Sequence, residues 1–183
     1  MRVPDTVFTI GHSTAPLPAL VKSLHAAGAR AVADVRRYPS SRRHPQFDRA
    51  VLERELPAAG IAYASFLDLG GRRTARADSR NTAWRNASFR GYADYMQTPA
   101  FESALERLCE FARVPCALMC AESLWWRCHR ALISDALKVR GARVLHIGSD
   151  GRLGEHPYTG AARIVDGQLS YAGGSEDLFS RDA

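Results

Sequence analysis

Short apolar runs alternate along this chain with stretches of helical periodicity. Thr6 to Ile10 carries almost no polar interruption, and a strand covered on both faces loses the usual apolar–polar alternation, so the run predicts an interior strand. Gly11-His12-Ser13-Thr14 follows it. A helical period then runs from about Leu17 to Ala27 and closes at Gly28, before a second apolar run, Ala31 to Val35. Strand, helix and strand in this order form a βαβ unit with parallel strands and a right-handed crossover.

The remaining pattern extends the same alternation. Phe47 to Ala58 predicts an amphipathic helix and Gly60 to Tyr63 a short third strand. Gly91 to Met96 and Pro99 to Ala112 predict one helix or a kinked pair. Cys116 to Met119, opened by Pro115, predicts a buried strand; Leu124 to Val139 predicts a helix capped by Ser123 and stopped at Gly141; Arg143 to Ile147 predicts the last core strand. Asp166-Gly167 between the short runs Ile164-Val165 and Gln168-Leu169 predicts a tight hairpin. These elements specify a single three-layer α/β domain, a mostly parallel sheet flanked by helices, over residues 1–183. Its core is expected within 5–150, with the hairpin and tail at 151–183 decorating the sheet edge or partly mobile.

Two segments lack periodicity. Pro39 to Pro45 is a basic loop, and Asp68 to Arg90 holds Gly70-Gly71, six arginines and few aliphatic residues, which reads as a long functional loop or lid if it is not disordered. They account for much of the charge. Lys+Arg total 25 against 19 for Asp+Glu, a formal +6, with arginines crowded at 36–43 and 72–90. Such an excess fits an anionic small molecule or nucleic acid as partner. No charged leader precedes a long apolar segment and no 18-residue apolar run occurs, so the expectation is a soluble, cytoplasmic protein without a membrane role. The four cysteines, Cys109, Cys116, Cys120 and Cys128, lie within twenty residues; they are expected as reduced thiols and not as a disulfide framework.

Chemistry concentrates where strands end. His12-Ser13, Asp34-Arg36 and Cys120-Glu122 all stand at carboxyl ends of predicted parallel strands, the edge at which open α/β sheets bind ligands. With Leu124 at zero and about 100° per residue, Cys128 and His129 fall within the apolar arc of the predicted helix. Cys128 there reads as a small core residue, and His129 as either a satisfied core group or a pocket group. Arg130 lies near the border of the polar stripe. Cys120 and Arg127 have six residues between them, one more than the five of the cysteine-phosphatase loop, so that geometry is not expected. Cys120, Cys128 and His129 could furnish a structural zinc site but contain no CxxC pair; no metal and no cofactor is assigned.

Taken as a set, Thr9-Ile10-Gly11-His12-Ser13-Thr14, Asp34-Val35-Arg36, Leu69-Gly70-Gly71, Gly91-Tyr92, Cys120-Ala121-Glu122 and Cys128-His129-Arg130 resemble the bacterial and archaeal family labelled domain of unknown function 488, from about residue 7 to 165. The resemblance implies a compact α/β domain with an active-site-like cluster and supplies no substrate. The residues themselves suggest an enzyme acting on a phosphate-bearing substrate such as a nucleotide or nucleic acid, hydrolase- or transferase-like. Its catalytic candidates are Cys120 or Glu122 as nucleophile or base, His129 as acid and Asp34 as an orienting carboxylate. Gly11, His12, Ser13, Arg36 and Arg130 are the candidate substrate-binding groups. The alternatives are a non-catalytic nucleic-acid-binding module using Arg42, Arg43, Arg72 and Arg73 with Tyr38, Phe47, Trp84 and Phe89 as stacking groups, or a thiol- or metal-dependent protein.

Overall fold

A computed structural model of the chain describes residues 2–40 and 43–173. Eight strands and five helices follow in the order β1 (Thr6–Gly11), α1 (Leu17–Ala26), β2 (Ala31–Asp34), α2 (Arg49–Ala58), β3 (Ala62–Ser65), α3 (Ala87–Met96), α4 (Pro99–Phe111), β4 (Cys116–Cys120), α5 (Arg130–Val139), β5 (Arg143–Ile147), β6 (Leu153–Glu155), β7 (Arg163–Val165) and β8 (Gln168–Ser170). The main sheet has the order β3-β2-β4-β1-β5-β6. Its first five strands are mutually parallel, and β6 adds an antiparallel edge that the apolar pattern does not announce, because Leu153–Glu155 is exposed throughout.

The sheet is covered on both faces, as its uninterrupted apolar strands require. Phe8, Ile10, Val32, Ala117 and Met119 point to the side of α1 and α2, where Leu20 and Leu24, then Leu52 and Leu56, present matching one-turn pairs. Val7, Ala31, Ala33, Cys116 and Leu118 point to the side of α3, α4 and α5, against Phe101, Leu105, Leu108, Leu132 and Ile133. Each such aliphatic side chain contributes about 1.5–3 kcal/mol on full burial. Two good caps define the helices on this second side: Asn86 accepts from the Ser88 and Phe89 amides, and Thr98 accepts from the Phe101 amide ahead of Pro99.

Four expectations are corrected. The predicted helix from Leu124 is a short 3-10 turn, Trp125–Arg127, followed by α5 from Arg130. Tertiary contacts override periodicity there: Trp125 stacks on His146 with ring centroids 4.3 Å apart, and the buried Arg130 guanidinium donates to the Glu122 and Ser123 carbonyls. Ser123 therefore caps nothing. The aperiodic loop expected to run to Arg90 ends at Asn86, where α3 begins, and it is ordered, because Asp94 of α3 accepts from the Arg76 amide at 2.8 Å, Ser79 Oγ at 2.5 Å and Asn81 Nδ2 at 2.8 Å. Strand three is displaced to Ala62–Ser65, since Gly60 turns the chain at φ 75° and Ile61 fills the core.

The C-terminal hairpin is present with Asp166 and Gly167 at φ 49° and 74°, both in the left-handed region that a two-residue hairpin turn demands. It is more than decoration, the fourth correction. His156 and Tyr171, on either side of it, are buried and bonded to Asp135 of α5. The packed core thus extends to Tyr171.

Candidate active site at the β1–β4 switch point

The chain leaves β1 toward β2 on one side and leaves β4 toward β5 on the other, so the connections diverge between these adjacent strands. Such a divergence opens a crevice at the carboxyl edge of an α/β sheet. In this protein it is a cleft of about 1090 Å³ whose walls include His12, Ser13, Arg37, Arg72, Tyr92, Cys120, Glu122, Arg127, Cys128 and His129. Parallel pairing runs to its rim: Gly11 is in register with Cys120, and the His12 and Ser13 amides donate to the Cys120 and Ala121 carbonyls at 2.9 and 3.0 Å.

Glycines in the family-like motifs are there because backbones approach. A Cβ on Gly11 would overlap the Glu122 carbonyl, and one on Gly91 would overlap the Arg73 carbonyl. At Gly70 it would lie 2.6 Å from Arg37 Cα, and at Gly71 2.8 Å from His129 Nδ1. Gly11 lets the β4 end cross β1; Gly70, Gly71 and Gly91 let the arginine-rich loop lie down between α3 and the crevice.

Two candidate ligand cations already have partners within the protein. Arg36 is 5% exposed, and its Nε and Nη2 donate to the Asp34 carboxylate at 2.8 and 2.6 Å while Nη2 also donates to the Phe47 carbonyl at 2.9 Å. Its Nη1 approaches His12 Nε2 at 3.3 Å. Because His12 Nδ1 faces the Ser13 carbonyl and must donate to it, Nε2 is the acceptor, and the ring is neutral. Burial against Phe47, with Arg36 adding to the effect, pulls His12 down to about 4. Asp34 also accepts from Tyr63 Oη at 2.7 Å and is fully buried. Arg130, 1% exposed, is turned inward to the Glu122 and Ser123 carbonyls and to Cys128 Sγ at 3.4 Å. The free amides expected at a helix terminus are likewise engaged: Arg127, Cys128, Ala131 and Leu132 each donate to a carbonyl three residues back.

Arg36 borders the cleft, and three further arginines line it. Arg37 is half-buried, while Arg72 and Arg127 are exposed, and none of the salt bridges among the described residues involves them. Arg72 reaches over the exposed Tyr38 ring at 5.9 Å. Arg73 lies instead over Tyr95 at 3.7 Å and donates to the Gly70 and Asp68 carbonyls, tying the loop down. Arg43 is exposed, and Arg42 lies outside the described residues. Phe47 is wholly buried and Trp84 packs on Phe89 and Tyr171, so Phe47 is no stacking platform for bases and the Trp84 face is already occupied.

Three electron-pair donors meet at the floor. Cys120 Sγ, Cys128 Sγ and a ring nitrogen of His129 all lie within 4.8 Å of one another. His129 Nε2 is 2.9 Å from the Val35 carbonyl, to which it must donate, and Nδ1 is 3.5 Å from Cys128 Sγ. A hydrogen bond from Cys120, then His129 and the Arg130 charge, hold the Cys128 thiol well below the ordinary thiol range. The same hydrogen bond, with burial, pushes Cys120 up. Glu122 is half-buried at the rim and accepts from the Leu124 amide at 3.3 Å. Tyr92, donating to the Leu69 carbonyl at 2.7 Å, walls the far side and is kept protonated by burial.

Sequence reasoning brought Cys120, Glu122, His129, His12 and Ser13 together and read Cys128 as a core residue, which it is while also lining the cleft, but it did not name Arg37, Arg127 or Tyr92 as cleft residues. The pair Cys128-His129 and the Gly91-Tyr92 motif were the available signals. All four cysteines are free thiols. No helix among the described residues is long and apolar enough to cross a membrane.

Parallel topology, two-sided helical cover and a switch-point cleft define a doubly wound α/β protein with a crevice at the strand ends. The chain belongs to the family described as domain of unknown function DUF488, whose model matches residues 16–137, so that the Thr9–Thr14 motif lies ahead of the matched segment. No curated protein and no solved structure gives a match.

Proposed function

We propose that the protein is an enzyme acting on a phosphate-bearing substrate of nucleotide size, bound in the β1–β4 crevice. The observation that carries this reading is the charge imbalance of the cleft. Arg37, Arg72 and Arg127 line it without a carboxylate partner among the described residues, against Glu122 as its acidic group. Guanidinium groups of this kind bind phosphate through paired N–H donors. The Ser13 hydroxyl adds a further donor at the rim. Glu122 is positioned as the acid–base group, since it lines the cleft beside the anion-binding side chains and its contact with the protein is one long amide bond. Cys120, Cys128 and His129 supply the reacting centre on the floor, and hydrolysis or group transfer fits these parts.

A nucleic-acid interface spread over the arginine-rich loop has less support, because Arg73, Arg76 and Arg90 are engaged with Gly70, Asp78 and Trp84. The test is calorimetric titration with nucleoside mono- and diphosphates, inorganic phosphate and a short single strand, followed by turnover assays on whichever binds. Arg72→Ala and Arg127→Ala are expected to weaken nucleotide binding about tenfold each, ~1.4 kcal/mol. Glu122→Gln is expected to bind and not turn over. Nucleotide affinity unchanged in both arginine variants would overturn the reading; tight binding confined to the long strand would shift it to the nucleic-acid module.

A further inference from the structure

We propose that Cys120, Cys128 and His129 form a three-ligand site for a borderline-soft divalent transition metal of the zinc type, with its fourth position open to the crevice. The inference rests on reading that crevice as the reaction site, and it says what the three donors do there. Spacing alone did not favour a metal, since C-x7-C-H contains no CxxC pair. The fold supplies what spacing lacks: β4 delivers Cys120, and the sharp turn before α5 brings Cys128 and His129 back over it.

Three geometric observations converge. Tetrahedral coordination with bonds of about 2.3 Å to sulfur and about 2.0 Å to nitrogen sets ligand atoms roughly 3.5–3.8 Å apart; the three donors lie within 4.8 Å of one another, and Cys128 Sγ is 3.5 Å from His129 Nδ1. The outer side of each donor on the turn is already held. His129 Nε2 donates to the Val35 carbonyl and Cys128 Sγ accepts from Arg130 Nε, the supporting hydrogen bonds that orient metal ligands and fix the imidazole tautomer. Finally, Cys120, Cys128 and His129 all line the same cleft, so the space between them is reachable from it. Gly71, which admits no Cβ against His129, keeps the imidazole from being displaced.

Two thiolates and a neutral imidazole leave one coordination position of a tetrahedron vacant, the pattern of a catalytic and not a structural zinc site. Glu122 and the three cleft arginines line the same cavity as the donors. Ligation requires the thiolate form, so any thiol that is protonated beforehand releases its proton to solvent on binding.

The experiment uses the full-length, reduced protein with Zn²⁺ and Co²⁺ as probes in the presence of a competing chelator. One equivalent of Zn²⁺ should resist the chelator, and Co²⁺ should give intense sulfur-to-metal charge-transfer bands with the visible spectrum of a tetrahedral site. Cys128→Ser and Cys120→Ser should each weaken Zn²⁺ retention at least 100-fold and His129→Gln at least tenfold, while Cys109→Ala retains it. Where a variant fails to fold, the Co²⁺ spectrum of the unaltered protein still counts its thiolate ligands. Absence of stoichiometric Zn²⁺, an octahedral Co²⁺ spectrum without charge-transfer bands, or full retention in Cys128→Ser would each overturn the site. Loss of metal binding with the arginine dependence of nucleotide binding intact would remove this inference alone; the converse would remove the substrate reading alone.

Discussion

His156 donates from Nε2 to Asp135 Oδ1 at 2.9 Å, with both side chains completely buried. His156 Nδ1 then accepts from His146 Nε2 at 2.9 Å, and His146 Nδ1 accepts from Thr9 Oγ1 at 2.6 Å, so one direction of donation runs from β1 through β5 to α5. Asp135 additionally accepts from the Thr159 amide and hydroxyl and from Tyr171 Oη.

Replacing Asp135 with Asn opposes donor to donor at several of these contacts. Asp135→Asn should destabilise the fold by about 1–3 kcal/mol for each buried donor it leaves without an acceptor. Urea denaturation measures it, and hydrogen exchange should show residues 156–171 losing protection first. An unchanged midpoint would mean that the C-terminal segment is only an ornament on the sheet.

Acid should unfold the protein earlier than carboxylate titration alone accounts for. Burial lowers His146 from its usual 6.5 to about 3, and burial near Arg36 lowers His12 to about 4. Below pH 6.5 the unfolded chain binds protons at both imidazoles and the folded chain does not, so the stability is complete above 6.5 and falls as pH drops toward 4 and 3. Each pH unit in that window removes up to about 1.4 kcal/mol per histidine. Denaturant melts at pH 7, 6, 5 and 4 should show this slope, reduced in His146→Gln; a flat profile down to pH 5 would contradict it.

The arginines should separate into scaffold and ligand groups. Arg36→Ala leaves the Asp34 carboxylate buried with Tyr63 as its remaining side-chain donor, a loss of about 3–5 kcal/mol. Arg72→Ala and Arg127→Ala, at exposed positions, should change stability by no more than about 0.5 kcal/mol. Melting temperatures decide between them. Equal effects at all three sites would erase the distinction drawn from their contacts.

Gly11→Ala should fail where Gly160→Ala succeeds. The first Cβ meets the Glu122 backbone, which cannot swing aside as a side chain could; the second meets nothing within 4 Å. The expected costs are more than about 2 kcal/mol against about 0.5 kcal/mol or less. Thermal melts compare the two, and Gly11→Ala should also lose the contact between the β1 and β4 ends that shapes the cleft.

Most of the architecture was legible in the sequence because interior strands such as Thr6–Ile10 and Cys116–Met119 are short apolar blocks, and helices such as α1 and α4 carry stop and cap signals. The turn before α5 was not, because Leu124 to Cys128 keeps helical periodicity while Arg130 and the Trp125–His146 stack dictate otherwise. The site was legible as a place and less so as a set of roles. Strand ends located His12, Asp34, Cys120 and Glu122, but nothing local distinguishes Arg36, fastened to Asp34, from Arg37, which faces the cleft. That difference belongs to side-chain direction after folding. The membership of Cys128 was hidden for the same reason.

The insertion of β4 between β2 and β1 bears on how the protein is made. As the chain emerges from the ribosome, β1, β2 and β3 are complete by residue 65, yet β1 and β2 have no hydrogen-bonded contact until Cys116–Cys120 arrives to fill the gap between them. The first half of the polypeptide must therefore wait as an unclosed sheet with two open edges, and cleft and sheet appear together in one late, long-range step.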